Sequence, residues 1–286
     1  MRIREIRGFK FFIMNQRVKI GNVISYLVLG FVSFLMLFPF FYMFVTACKD
    51  EAQFIKKSFF PNPWHLDNFY TAWTKEPFTF FFINSIIVAA ITMFLVVFIS
   101  SMGGFVFSKY RFRGKKIIFG MILATMMVPA QVTMIPNFMI SSRLGLLDNF
   151  GGLILPVLPL AFGIFMMRQF MYSVPTSLIE AARIDGSNEF GIYIKIMLPL
   201  CKPALLTLGI FTFMSSWNNF MWPLIILDTP SKYTIPIGLL RFAQQYDTQF
   251  HFQMAVSLLS ILPIMVLFIL FQRAFVQGMA LTGIKE

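Results

Sequence analysis

EAARIDGSNEFGIYIKIMLPLCKP, residues Glu180 to Pro203, is a charged, hydrated segment inside a chain of 286 residues that is 58% hydrophobic and only 13% charged. Soluble domains carry about a quarter of their residues as charges. The composition therefore belongs to a membrane protein, and this segment is the part of its interior that must stand in water. A loop that merely joined two spans could be far shorter.

Crossing a hydrocarbon core of about 30 Å takes roughly 20 apolar residues in a helix. Residues 20–48, 77–108, 117–142, 149–167, 203–227 and 248–272 contain no Asp, Glu, Lys or Arg. The expected fold is all-α, a polytopic membrane protein of six transmembrane helices at about 22–47, 80–107, 117–140, 152–172, 204–226 and 253–273. The polar segment falls between the fourth and fifth of these. An even number of crossings leaves both termini on one side.

The basic residues say which side. Of 24 Lys and Arg, seventeen lie in residues 1–19, the SKYRFRGKK loop, residues 168–202 and the stretch after the last span; seven lie in the opposite loops. The acids divide five and seven, so the whole net charge of +12 sits on one face. That face is cytoplasmic by the positive-inside rule. Cations beside membrane spans serve topology and contact with lipid headgroups. The pI near 9.9 thus implies a lipid partner and no nucleic acid.

VTAC, Val45 to Cys48, resembles a lipoprotein cleavage box, but its apolar stretch far exceeds the roughly 7–15 residues of a signal-peptide core. A retained span is expected, with Cys48 outside and Cys201 inside, unable to pair. The loop from Lys49 to Glu76 suggests a short turn and an amphipathic helix along the outer surface. That helix packs on the spans or meets an external partner. The outer loop before the sixth span has room for a small helix. His65 and His251 lack partners at ligand spacing, so no metal is expected.

Phosphate-loop, dinucleotide, nucleophile-elbow and zinc-protease motifs are all absent, which argues against an enzyme and against a bound cofactor. Ion-coupled carriers bury acids, His or Lys within their spans. These spans have essentially none.

Within residues 173–203, Ser177-Leu-Ile-Glu180 has capping-box spacing after Pro175, and Gly186 is placed to stop the helix with a positive φ. Ser187 is expected to cap a second helix that carries Glu189 in its first turn and ends at Pro199. Phe190, Tyr193, Ile194 and Met197 recur at i, i+3, i+4 and i+7, one apolar face; Leu178, Ile179 and Ala182 do the same on the first helix. Such a pair must bury these faces against its own bundle or against another protein.

Glu180-Ala181-Ala182, Asp185-Gly186, Ile196 and Leu198-Pro199 resemble the EAA loop of binding-protein-dependent ABC transporter permeases, in the form E-A-A-x-x-D-G-x(9)-I-x-L-P. The six spans, SRLGLLDN, SWNNFMWPL and the tail GMALTGIKE are similar to carbohydrate-uptake permeases of the maltose type, the shorter six-span subunit. Tyr193 stands where many relatives have Phe, and Asn219 where an acid is common.

The resemblance implies a type I ABC importer permease in a bacterial or archaeal cell membrane. It is expected to form half of a pathway with a second permease subunit, and to serve an extracytoplasmic solute-binding protein and a carbohydrate substrate. A cytoplasmic ATPase dimer would bind ATP and Mg and dock the loop. Glu180 would meet a basic residue there, Gly186 would permit close approach, and Phe190, Tyr193 and Met197 would supply apolar anchors. The tail Gly278 to Glu286 would touch the same ATPase. Swinging the pathway between two states takes roughly 5.5 kcal/mol, and full burial of each anchor contributes about 1.5–3 kcal/mol.

Polar side chains within the spans are the candidates for a sugar path: Asn84 in the second, Gln131, Thr133 and Asn137 in the third, and Ser215, Ser216, Trp217, Asn218 and Asn219 in the fifth. Polar side chains also hold membrane helices together, and for each of these that reading stands ahead of sugar contact. A permease for a non-sugar solute and an ion-coupled carrier are the other readings.

Overall fold

A computed structural model describes the backbone of residues 2–56 and 58–283 and the side chains of residues 22–56 and 58–272. The elements run α1 Arg2–Ala47, α2 Glu51–Ile55, α3 Asp67–Lys75, α4 Phe78–Lys109, α5 Lys115–Thr125, α6 Ala130–Arg143, α7 Phe150–Ile154, α8 Ala161–Tyr172, α9 Thr176–Ile184, α10 Glu189–Ile192, α11 Leu198–Leu200, α12 Lys202–Trp217, α13 Met221–Ile226, α14 Ile235–Gln245 and α15 Phe250–Gly283. No strand occurs among the described residues. The expected tail contact, Gly278 to Glu286, lies outside the residues whose side chains are described.

Three stretches are unbroken and apolar enough to cross a membrane: Asn22–Ala47, Phe78–Lys109 and Phe250–Gln272. Three more arise if bent helix pairs each count as one span. The expected single helix over 117–140 is such a pair, α5 and α6, bent by 99°. Pro129 explains the break, because a proline disfavours helical φ and ψ at the residue before it, Val128. The 152–172 span bends by 47° between Phe150–Val157 and Ala161–Tyr172, a break that contains Pro159. The expected 204–226 helix is interrupted after Trp217 and resumes as α13.

The described residues form two compact units. One takes those up to Ala72 together with Thr248–Leu258; the other takes Trp73–Asp247 and those from Leu259 onward. In the first, Asn68 donates from its amide nitrogen to the Ala47 and Lys49 carbonyls, both at 2.8 Å, and so closes the turn after α1. Asp50 caps α2 by accepting from the Gln53 N–H at 2.6 Å, and Phe54 stacks on Phe250. His65 lies 3.8 Å from both Asp50 and Asp67, carboxylates that the spacing argument passed over. No metal-holding cluster of three or more His, Cys, Asp or Glu occurs among the described residues. Cys48 and Cys201 are free and buried.

The second unit is built around α4, which packs on α8 and α12. Two glycines set that seam. A Cβ on Gly163 would sit 2.3 Å from Ser100 Oγ, and one on Gly104 would sit 2.6 Å from Met167 Cβ and 2.8 Å from the Arg168 backbone nitrogen. Small residues let helix backbones approach where lipid supplies no hydrophobic drive between spans. Away from the basic loops, Asn84 donates to the Ser231 and Tyr233 carbonyls, Ser85 Oγ accepts from the Ile235 N–H, and Trp222 Nε1 donates to the Gly152 carbonyl. Asp148, with φ 50°, grips the opposite loop by accepting from Lys232 Nζ, Thr229 Oγ1 and the N–H groups of Asp228 and Thr229.

Candidate functional site

The charged segment is a helical hairpin. Gly186 has φ 81°, the Ser187 N–H donates to the Ala182 carbonyl and the Gly186 N–H to the Arg183 carbonyl, which together make a Schellman stop at the end of α9. No atom lies within 4 Å of a Cβ built at Gly186, so its freedom serves the backbone alone. The caps differ from the sequence expectation. Pro175 occupies the N-cap of α9 with Ser177 already inside the helix, and Asn188, not Ser187, caps α10 by accepting from the Gly191 N–H at 2.7 Å.

Pro199 does not end the second helix. The chain passes through a π turn, Tyr193–Met197, in which the Leu198 N–H reaches back to the Tyr193 carbonyl, and continues through α11. It then turns by 81° at Cys201 into α12.

The four-residue apolar face divides in two. Tyr193 and Met197 are buried in the chain's own core with Ile179, Ala182, Ile192, Met167 and Met171. Phe190 and Ile194 remain 57% and 44% exposed, beside Leu178 on α9 and Ile184, which is 86% exposed. On a helix of 3.6 residues per turn Phe190 and Ile194 lie on one edge of the stripe and Tyr193 and Met197 on the other, so the i, i+3, i+4 template overstated the shared face. Tyr193 and Met197 therefore cannot serve as free anchors. Glu180, Ala181 and Asp185 lie on the exposed side with Phe190, whereas Leu198 is half-buried and Pro199 exposed.

Three contacts bind the hairpin to the end of α4. Tyr193 Oη lies 2.6 Å from Ser101 Oγ; Lys109 Nζ donates to the Val174 and Tyr172 carbonyls at 2.5 and 3.3 Å; Tyr110 Oη donates to Glu189. Arg183 pairs with the same carboxylate, Nε to Oε1 at 2.7 Å. Burial, reinforced by the Glu189 carboxylate, pushes the Tyr110 hydroxyl up to about 12, so it stays a proton donor. Glu189 is thus shared between the loop after α4 and the last turn of α9. Sequence reading placed it only in a first helical turn, with no signal for partners six and 79 residues away.

Among the expected path residues, Asn84 is buried and committed to the loop carbonyls of Ser231 and Tyr233. Trp217 is buried, stacks with Phe213 and donates to the Ser260 carbonyl. Asn218 is exposed and turns back to the Met214 carbonyl. Asn84 thus ties α4 to the loop before α14, Trp217 ties α12 to α15, and Asn218 caps its own helix. Gln131, Thr133, Asn137 and Asn219 instead share the lining of one open cavity of about 790 Å³. Asn219 also lines a neighbouring cavity of about 270 Å³ with Ser85, Thr92, Thr212, Ser215, Ser216 and Thr234. The hydroxyls of Thr92, Thr212 and Thr234 are buried there without a protein partner. None of those three threonines stood out in the sequence: Thr92 and Thr212 lie within apolar helices, and Thr234 lies in the loop before α14.

The chain belongs to the family described as binding-protein-dependent transport system inner membrane component, whose pattern matches residues 97–281. It is a multi-pass membrane protein of that family. It is 33% identical to the arabino-oligosaccharide transport system permease protein AraQ of Halalkalibacterium halodurans, over 93% of this chain and 99% of that one. Identity to the sn-glycerol-3-phosphate transport system permease protein UgpE of Brucella abortus is 30%, over 94% and 99%. A crystal structure of a bacterial ABC transporter involved in the import of the acidic polysaccharide alginate superposes with a TM-score of 0.78 at 28% identity, covering 90% of this chain and 97% of that chain.

Proposed function

We propose that this chain is the permease subunit of an ATP-driven importer for an oligosaccharide, with the hairpin at residues 173–203 as the element that a cytoplasmic ATPase grips. The observation that carries this reading is the two-sided hairpin. Its inner side is fixed in the core by Tyr193, Met197 and Ile192, while its outer side presents Phe190, Ile184, Leu178 and Ile194 to water. An apolar patch rimmed by charge marks a docking surface. Burying what remains exposed of those four side chains contributes on the order of 3–6 kcal/mol. That is comparable with the roughly 5.5 kcal/mol needed to invert a two-state pathway.

Force applied there has a covalent and hydrogen-bonded route into the bundle. The α10–α12 segment carries it directly, and the Tyr193–Ser101, Lys109–Val174 and Tyr110–Glu189 contacts pass it to α4. The chain itself performs no chemistry; hydrolysis belongs to the ATPase. The basic end lies in the cytoplasm, and a solute-binding protein and a second permease complete the assembly.

The sugar reading follows from the arabino-oligosaccharide and alginate systems among its relatives, and the glycerol phosphate relative supports a second, a small phosphorylated solute. Uptake by inverted complexes cannot separate them, but uptake into vesicles containing the whole transporter, ATP inside, can. Accumulation of labelled oligosaccharide that survives a protonophore supports the first. Accumulation of glycerol phosphate alone replaces it with the second, and transport without ATP removes both.

A further inference from the structure

We propose that the cavity between the end of α4, the start of α5 and the α8–α9 junction is a binding site for a phosphate group, carried by the headgroup of an anionic lipid. The cavity holds about 490 Å³ and is lined by Lys109, Arg111, Lys115, Tyr172, Ser173 and Thr176 among others. Three cations face one space, and among the described residues no carboxylate lies within ion-pairing distance of any of them. The nearest acid in the contact network, Glu189, is already taken by Arg183 and Tyr110.

The lysines are positioned, not loose. Lys109 spends two donors on the Tyr172 and Val174 carbonyls and Lys115 one on the Tyr110 carbonyl at 2.8 Å, so that each ammonium, with three donors, keeps at least one in reserve. Arg111 is exposed and presents a guanidinium suited to bidentate contact with phosphate oxygens. Thr176 lines the same space. Three positive charges held together without a counter-ion repel one another, and a phosphate relieves that repulsion.

The position selects the source. Lys109 ends a helix long enough to cross a membrane and Lys115 begins the apolar bent pair α5–α6, so the cavity lies where charged loop meets apolar helix, at headgroup depth. Immediately beyond Lys115, Ile117 and Met121 are 70% and 58% exposed, a track for an acyl chain. Basic pockets between spans at this depth suit anionic headgroups.

The test uses the purified full transporter, delipidated and then offered phosphatidylglycerol, phosphatidylcholine or inorganic phosphate, with retained ligand read by native mass spectrometry and protection by thermal shift. Phosphatidylglycerol should be retained at least tenfold over phosphatidylcholine, and R111Q/K115Q should abolish the preference. R113Q/K116Q, which removes the same charge from outside the cavity, should leave it intact. Equal losses in the two double variants would mean general surface charge and overturn the site. Protection by inorganic phosphate, abolished by R111Q/K115Q while phosphatidylglycerol is inert, assigns the same site to free phosphate. No preference for any phosphate anion removes it. Should R111Q/K115Q fail to fold, R111Q alone replaces it, since no contact to the protein is made by that guanidinium in any described hydrogen bond or ion pair.

Discussion

Tyr193 Oη and Ser101 Oγ lie 2.6 Å apart, in the core, 92 residues apart in sequence. Ser101 also donates to the Phe98 carbonyl at 2.9 Å, and a hydroxyl has one proton, so Tyr193 is the donor of the pair. It joins the hairpin to α4 at a point where water is excluded. Tyr193→Phe leaves the ring packing intact and strands one acceptor, at a cost of about 1 kcal/mol. The expected outcome is a small drop in melting temperature with a larger fall in sugar uptake per ATP hydrolysed. Proportional losses of both would deny the contact a role in coupling.

Gly186→Val places a β-branched side chain at φ 81° and costs on the order of 1–3 kcal/mol of local strain. Nothing stands within 4 Å of the new Cβ, so the rest of the bundle is untouched. The variant should insert and pair with its partner permease while losing the ATPase in co-purification. Glu180→Ala should show a milder version. Retained ATPase and wild-type uptake per inserted molecule would remove the hairpin from the coupling route.

Gly163→Ala drives a methyl against Ser100 Oγ, and the overpacking should cost about 1–3 kcal/mol. Ser100→Ala removes that oxygen and should restore part of the loss. Gly104→Ala meets the backbone at Arg168, which no side-chain change can relieve. Thermal melts of G163A, G163A/S100A and G104A check the difference.

Asp148 is held well below the ordinary carboxylate range, first by Lys232 and then by Thr229 and the Asp228 N–H. A depressed value contributes stability that is complete above the ordinary value near 3.8 and disappears as the pH falls toward the folded one. The difference in melting temperature between wild type and Asp148→Asn should therefore be constant from pH 7 to pH 5 and shrink only below about 3.8. A difference that vanished at pH 5 would contradict the geometry.

Orientation is open to direct labelling. Ser187 and Tyr70 are exposed, whereas Cys48 and Cys201 are buried and should give little background. An impermeant maleimide applied to intact cells should modify Tyr70→Cys and spare Ser187→Cys. The reverse pattern would place the basic end outside.

The hairpin was legible in the sequence because its determinants are local: a glycine at the stop, a polar cap, a charged rim. The membrane class and the positions of the apolar stretches were legible for the same reason, since hydropathy is a sum over neighbours. What escaped was set by distance or by backbone irregularity. The π turn carried the second helix past Pro199, and the partners of Asn84, Asp148 and Glu189 lie about 80 to 150 residues off along the chain. Asn84 and Trp217, singled out as a path, bond to carbonyls far along the chain, and composition alone cannot tell a lining side chain from a bridging one.

The close glycine seam between α4 and α8 gives the bundle a mechanical property. With Gly104 and Gly163 both pressed against the opposite helix, the two helices tilt as one plank. From Gly104 to Asn84 the plank is about 30 Å long at 1.5 Å per residue, so a tilt of about 10° about its basic end swings the far end by about 5 Å. Asn84 at that far end is fastened to the loop at Ser231 and Tyr233, so the same stroke is delivered to that loop. A tilt of about 10° at the basic end thus becomes, by leverage alone, a displacement of about 5 Å at the loop that Asn84 holds.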